Sequence, residues 1–121
     1  MHELSVCQGL VGQLEAVAAE HGAGGVRRVT LRVGPLSGVE PRLLEEAFPI
    51  ARAGTVAAAA ELIIEPQPVR VECLECGAGS EASANRLLCG ACGAWRTRVV
   101  SGDEMVLASV ELEFEEEKAD V

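Results

Sequence analysis

The clearest chemistry in this 121-residue chain belongs to four of its five cysteines. They stand as Cys73-Leu74-Glu75-Cys76-Gly77 and Cys89-Gly90-Ala91-Cys92-Gly93, with the stretch to Leu88 between them. Two residues between cysteines let one tight turn aim both sulfurs at a single cation. Two such turns brought face to face supply a tetrahedron of thiolates, the donor set that suits Zn²⁺. A glycine follows each second cysteine, where the turn tends to need positive φ. Rubredoxin-like iron and a redox dithiol pair are the competing readings. The redox reading is the weaker one, because a reactive Cys-X-X-Cys normally opens a helix and these two copies sit in Gly-rich sequence. With all four positions filled by protein, the zinc would be structural and hold no water to activate. The fifth cysteine, Cys7, reads as a small buried hydrophobe rather than a soft metal ligand.

The second candidate is the N-terminus, Met1-His2-Glu3. A bulky His2 keeps the initiator methionine in place, so the free amine belongs to Met1. That amine, the next backbone nitrogen and the His2 imidazole can close two fused chelate rings around one cation. Nitrogen donors in a plane favour Ni²⁺ or Cu²⁺. Without further context these residues are weak evidence and read first as a frayed end carrying an exposed histidine.

The elements that would position these groups follow from the apolar pattern. Leu4, Cys7, Val11, Leu14 and Ala18 recur at three- and four-residue steps, the face of a helix that stops near His21 before Gly22, Gly24 and Gly25. Val29, Leu31 and Val33 alternate with Arg28, Thr30 and Arg32, which predicts a strand. Gly34-Pro35 ends it. The segment Leu36 to Pro41 turns into a second helix whose apolar side is Leu43, Leu44, Ala47 and Phe48, and Pro49 should kink or end that helix. Glu40 falls near its dipole, and His21 suits the end of the first helix. Thr55 to Ala60 reads as a helical turn, Glu61 to Glu65 as a strand and Pro66-Gln67-Pro68 as a stiff linker. After a turn at Ser101-Gly102-Asp103, Val106, Ala108, Val110, Leu112 and Phe114 form one side of a last strand. The acidic end Glu115-Glu116-Glu117-Lys118 should fray.

These elements predict an α/β fold: a sheet of about three strands with two helices on one face and an inserted zinc-ribbon-like module. The boundaries are 1–68 plus 102–121 for the discontinuous α/β domain and 69–101 for the insert. Composition limits function. The core must be aliphatic, since aromatics are 2% of residues. A formal net charge of −9 repels phosphate backbones, so nucleic acid is not an expected partner. No apolar run is long enough to span a membrane and no signal peptide is recognisable, which places the chain in the cytoplasm. No nucleophile–base pair or phosphate loop appears, so no enzyme is expected.

The opening Met-His-Glu-Leu-Ser, the central Val29-Thr30-Leu31-Arg32-Val33-Gly34-Pro35-Leu36-Ser37-Gly38-Val39-Glu40-Pro41, the paired cysteines and the closing Gly102-Asp103-Glu104-Met105 through Ser109-Val110-Glu111-Leu112-Glu113 together resemble the HypA/HybF family. Its members are nickel metallochaperones of [NiFe]-hydrogenase maturation, and some also serve urease. The resemblance implies nickel held by the Met1 amine, His2 and nearby backbone nitrogens, with Glu3 as a ligand or a tuning residue. It implies structural zinc on Cys73, Cys76, Cys89 and Cys92, in an α/β nickel domain with an appended zinc domain. It also implies two partners, a nickel-handling maturation GTPase and the hydrogenase large subunit, with a homodimer left open. The alternative is a zinc-ribbon interaction or regulatory module without nickel transfer.

Overall fold

The protein is described by a computed structural model covering residues 2–114. The elements run α1 (His2–Glu20), β1 (Gly25–Val33), α2 (Pro41–Arg52), β2 (Glu61–Pro66), β3 (Val69–Cys73), β4 (Gly79–Ala82), β5 (Thr97–Ser101) and β6 (Met105–Glu113). They make two three-stranded sheets, ordered β2-β1-β6 and β4-β3-β5. The described chain divides into two compact units, one of residues 2–31, 40–63 and 107–114, the other of Arg32–Val39 and Ile64–Val106.

In the first unit, helix α1 buries Cys7, Leu10, Val11, Leu14 and Ala18, nearly the stripe that the sequence periodicity predicts. Strand β1 contributes Val26, Val29 and Leu31, and α2 contributes Leu44 and Phe48. The Cys7 thiol is fully buried and donates to the Leu44 carbonyl at 3.5 Å, joining the two helices. Burial, with help from the charge of Glu3, raises its pKa, so it stays a neutral core side chain. On the polar side of the sheet, Arg28 of β1 reaches Glu61 of β2 at 3.0 Å and Glu111 of β6 at 2.9 Å. These exposed pairs add little energy, but they agree with the strand order.

Two expectations need correcting. Of the two outcomes expected at Pro49, a kink or an end, the end does not occur: helix α2 runs three residues further, to Arg52. A proline late in a helix forfeits one hydrogen bond, to the carbonyl of Glu45, and that residue is exposed to water. The last strand alternates as read from Ala108 to Glu113, with its apolar side only half-buried, but Val106 near its start and Phe114 just past its end are exposed. The turn between Arg52 and Ala60 is a set of tight turns, with Thr55 Oγ1 donating to the Arg52 carbonyl at 2.7 Å. The charged end from Glu115 to Lys118 lies outside the described residues.

In the second unit, the Gly34-Pro35 break meets the 101–103 turn. The amide of Gly34 donates to the Glu104 carbonyl at 3.0 Å, and that of Leu36 to Gly102 at 2.9 Å. A methyl group on Gly34 would overlap the backbone of Gly102. Gly102 itself has φ 99°, and a methyl there would lie 2.7 Å from the Val69 Cα. Gly34→Ala should therefore lower stability by roughly 2–3 kcal/mol through overpacking against backbone that cannot rotate away. Gly9→Ala, at an exposed α1 position with nothing near its missing methyl, should raise stability by about 0.5–1 kcal/mol. Urea midpoints of the two variants read both effects, and equal shifts would refute the close approach.

Candidate metal centres

The sequence segment around each cysteine pair folds into the same knuckle. In the first, the Gly77 amide donates to the Cys73 carbonyl at 3.1 Å, and the amides of Glu75 and Cys76 both point at the Cys73 sulfur at 3.3 Å. In the second, Gly93 donates to Cys89 at 2.9 Å, and the amides of Ala91 and Cys92 point at the Cys89 sulfur at 3.3 Å. Gly77 and Gly93 have φ of 79° and 77°, the left-handed conformation that the glycines were expected to supply. Strand β3 delivers Cys73, paired antiparallel with Thr97 of β5. Ser80 Oγ of β4 accepts from the Gly90 amide at 2.9 Å, and Thr97 Oγ1 donates to the Leu87 carbonyl at 2.6 Å. Those two hydroxyls seat the second knuckle, and nothing in the local spacing marks them for that task.

All four sulfurs lie within 4.8 Å of one another. The Cys73–Cys92 separation is 3.7 Å and the Cys76–Cys89 separation is 3.6 Å. A zinc–sulfur bond of about 2.3 Å puts the corners of a tetrahedron about 3.8 Å apart. The donor set and its spacing fit Zn²⁺. Each first cysteine is shifted toward the thiolate. The amides of Cys92 and Ala91 lower Cys89 to about 6, and those of Cys76 and Glu75 lower Cys73. Each second cysteine is held in the opposite sense. The Ala94 amide pulls Cys92 down, but the sulfurs of Cys73 and Cys76 push it up to about 12; Cys76 is raised beside Cys89 despite the Ala78 amide.

The N-terminal candidates fall on the first turn of α1. His2 is exposed and Glu3 is partly exposed; Met1, and with it the terminal amine, lies outside the described residues. The Glu3 carboxylate accepts the backbone amide of Glu40 at 3.1 Å, an interaction that lowers its pKa. Glu40 is the N-cap of α2 and makes no side-chain cap of its own. Glu3 thus satisfies a donor at the start of the other helix. Among the described residues, neither Cys7 nor His21 joins a metal-ligating cluster. His21 Nδ1 lies 3.0 Å from the Val17 carbonyl at the end of α1.

Because Cys92 keeps its proton through the neutral range and beyond, zinc must displace that proton to bind. Zinc affinity should therefore rise with pH and be lost as pH falls, by about tenfold per unit for each proton released. Competition with a chelator at several pH values, combined with proton counting in two buffers, measures the slope. A flat profile between pH 6 and 8 would exclude the four-thiolate site.

The family model described as hydrogenase/urease nickel incorporation, metallochaperone, hypA, matches residues 1–112. The hydrogenase maturation factor HypA of Nitrosospira multiformis is 53% identical over 112 residues, covering 93% of this chain and 97% of the relative. That of Aquifex aeolicus is 44% identical over 115 residues, covering 95% and 100%. The solution structure of the Ni metallochaperone HypA from Helicobacter pylori superposes with a TM-score of 0.69 at 28% identity, over 93% of this chain and 98% of that one. A second HypA solution structure gives a TM-score of 0.73 at 29% identity, over 95% and 98%. The chain therefore belongs to the HypA family of hydrogenase maturation factors, which are nickel metallochaperones and not enzymes.

Proposed function

We propose that this chain binds Ni²⁺ at its N-terminus, through the Met1 amine, backbone nitrogens and the His2 imidazole with Glu3 beside them, and delivers it during [NiFe]-hydrogenase maturation. The observation that carries this reading is the placement of His2 and Glu3 on the exposed first turn of α1. The leading amides of a helix have no acceptor within it, so the backbone nitrogens there are open to a cation without breaking the helical ladder. An exposed His2 also suits a cargo that must leave. Zn²⁺ on Cys73, Cys76, Cys89 and Cys92 serves a different purpose, since binding free energy at a closed structural site is also folding free energy.

In this reading residues 1–68 and 102–121 carry the cargo, and 69–101 carry the zinc. The partners are a nickel-handling maturation GTPase, which helps load or unload the ion, and the hydrogenase large subunit, which receives it. The work is cytoplasmic. Among the described residues no helix is long and apolar enough to cross a membrane.

Zinc-loaded protein with its native, untagged N-terminus should take up about one nickel per chain, and His2→Ala should not. Calorimetry or a competing nickel indicator reads both. Wild-type uptake should weaken as pH drops through the imidazole range, because the ligand must be neutral to bind. Equal uptake by His2→Ala would place nickel elsewhere. No uptake by either protein would favour a zinc-stapled interaction module.

A further inference from the structure

Helices α1 and α2 leave an open trough of about 300 Å³, lined by Glu3, Leu4, Leu43, Glu46, Ala47 and Ile50. Its apolar floor has a simple origin in the sequence of α2. Leu44 and Phe48 form the buried stripe of that helix, while Leu43, Ala47 and Ile50 recur at i, i+4 and i+7 as a second stripe beside it. The fold uses only the first. Ile50 is 68% exposed and Leu43 39% exposed, in a chain whose other helix buries its apolar stripe almost completely. An isolated exposed leucine needs no explanation, but an aligned row lining a concave surface does.

The rim of the trough is acidic. Glu3 and Glu46 line it, and Glu45 lies next to Glu46 on the exposed surface of α2. The two helices together carry Glu3, Glu15, Glu20, Glu45 and Glu46 against only Arg42 and Arg52. Arg42 is engaged by Glu46 at 3.4 Å, and Arg52 donates to the Ala60 carbonyl and lies over the Phe48 ring. A second copy of this chain would bring like charges together along the seam. A helix whose leucine or similar anchors fill the trough, with Lys or Arg on either side, would satisfy both the floor and the rim.

We propose that this trough docks a basic amphipathic helix of a partner protein. Its position has a consequence that rests on the N-terminal nickel assignment, whereas the docking itself does not. Glu3 lines the trough and also holds the Glu40 amide. A partner Lys or Arg drawn to Glu3 competes with that amide, so docking alters the surroundings of the cargo end.

The test uses the zinc-loaded full chain, ¹⁵N-labelled, and a synthetic helix with Leu on one face flanked by Lys; its control carries Glu in place of every Lys. Titration should shift the amides of Leu4, Leu43, Ala47 and Ile50 first and most. Ile50→Glu should weaken the Lys peptide by about tenfold, although it makes the protein more negative and would strengthen a purely electrostatic association. Leu43→Ala should weaken it to a smaller degree, and the Glu peptide should not bind. Shifts centred elsewhere, wild-type affinity in Ile50→Glu, or equal binding of the Glu peptide would each overturn the proposal. Ile50→Glu should keep wild-type nickel uptake, so loss of docking with nickel intact leaves the metallochaperone reading untouched.

Discussion

Convergence of four sulfurs on one centre is the constraint on which the second unit depends. Its fully buried apolar side chains are few: Val33, Val69, Val71, Cys73 and Cys89. Two of those five are themselves candidate ligands. A core this small cannot offset the conformational entropy of ordering some fifty residues. The cross-link supplied by a cation is therefore part of the core rather than an ornament on it. The knuckles show how the backbone prepares for it. Paired amides turned toward Cys73 and Cys89 stabilise negative charge on those sulfurs before any cation arrives. Four thiolates this close still repel one another, which is why Cys76 and Cys92 resist ionisation. A divalent ion removes that conflict, and neither hydrogen bonding nor apolar packing could do so.

A second constraint in the same unit is steric. A side chain on Gly34 would run into the Gly102 backbone, and one on Gly102 into Pro68 and Val69, so neither position tolerates one. Hydrogen bonds from Gly34 to Glu104, from Leu36 to Gly102 and from Gln67 to Val33 hold three separate stretches of chain together there. This gives a physical account of two glycines within the sequence segments that mark the family. They are required by contact between backbones, not by the local turn alone. Gly38 is the contrasting case, a glycine whose φ of 80° serves the turn into α2 and whose missing side chain would meet nothing.

What could be read from the sequence depended on the range of the interaction. The cysteine centre was legible because two short turns encode it, and ligand number and spacing are written in consecutive residues. The first helix and the central strand were legible because their apolar periods are long and regular. The course of α2 past Pro49 was not, since the loss of one late hydrogen bond weighs less than burial of Phe48 one residue earlier. The sheet formed by β3, β4 and β5 was hidden as well, because β4 is Gly-Ser-Glu-Ala and carries no apolar alternation. Least legible was the contact of Glu3 with the Glu40 amide. It joins residues 37 positions apart through a backbone donor that has no sequence signature.

That contact bears on how a terminus can carry a metal yet part with it. The start of a helix carries partial positive charge, which opposes a cation placed there. A carboxylate beside it offsets the opposition, but the Glu3 carboxylate is already shared with the start of a second helix through the Glu40 amide. At the proposed nickel site, chelation by nitrogen donors would thus work against two helix termini with one partly committed acid to help. A site balanced in this way would select a nitrogen-seeking ion and still yield it. The cysteine centre has the opposite character, with buried Cys73 and Cys89, four converging donors and no open position. Retention and delivery ask for opposite chemistry, and one short chain can supply both only by keeping the two donor sets on different elements.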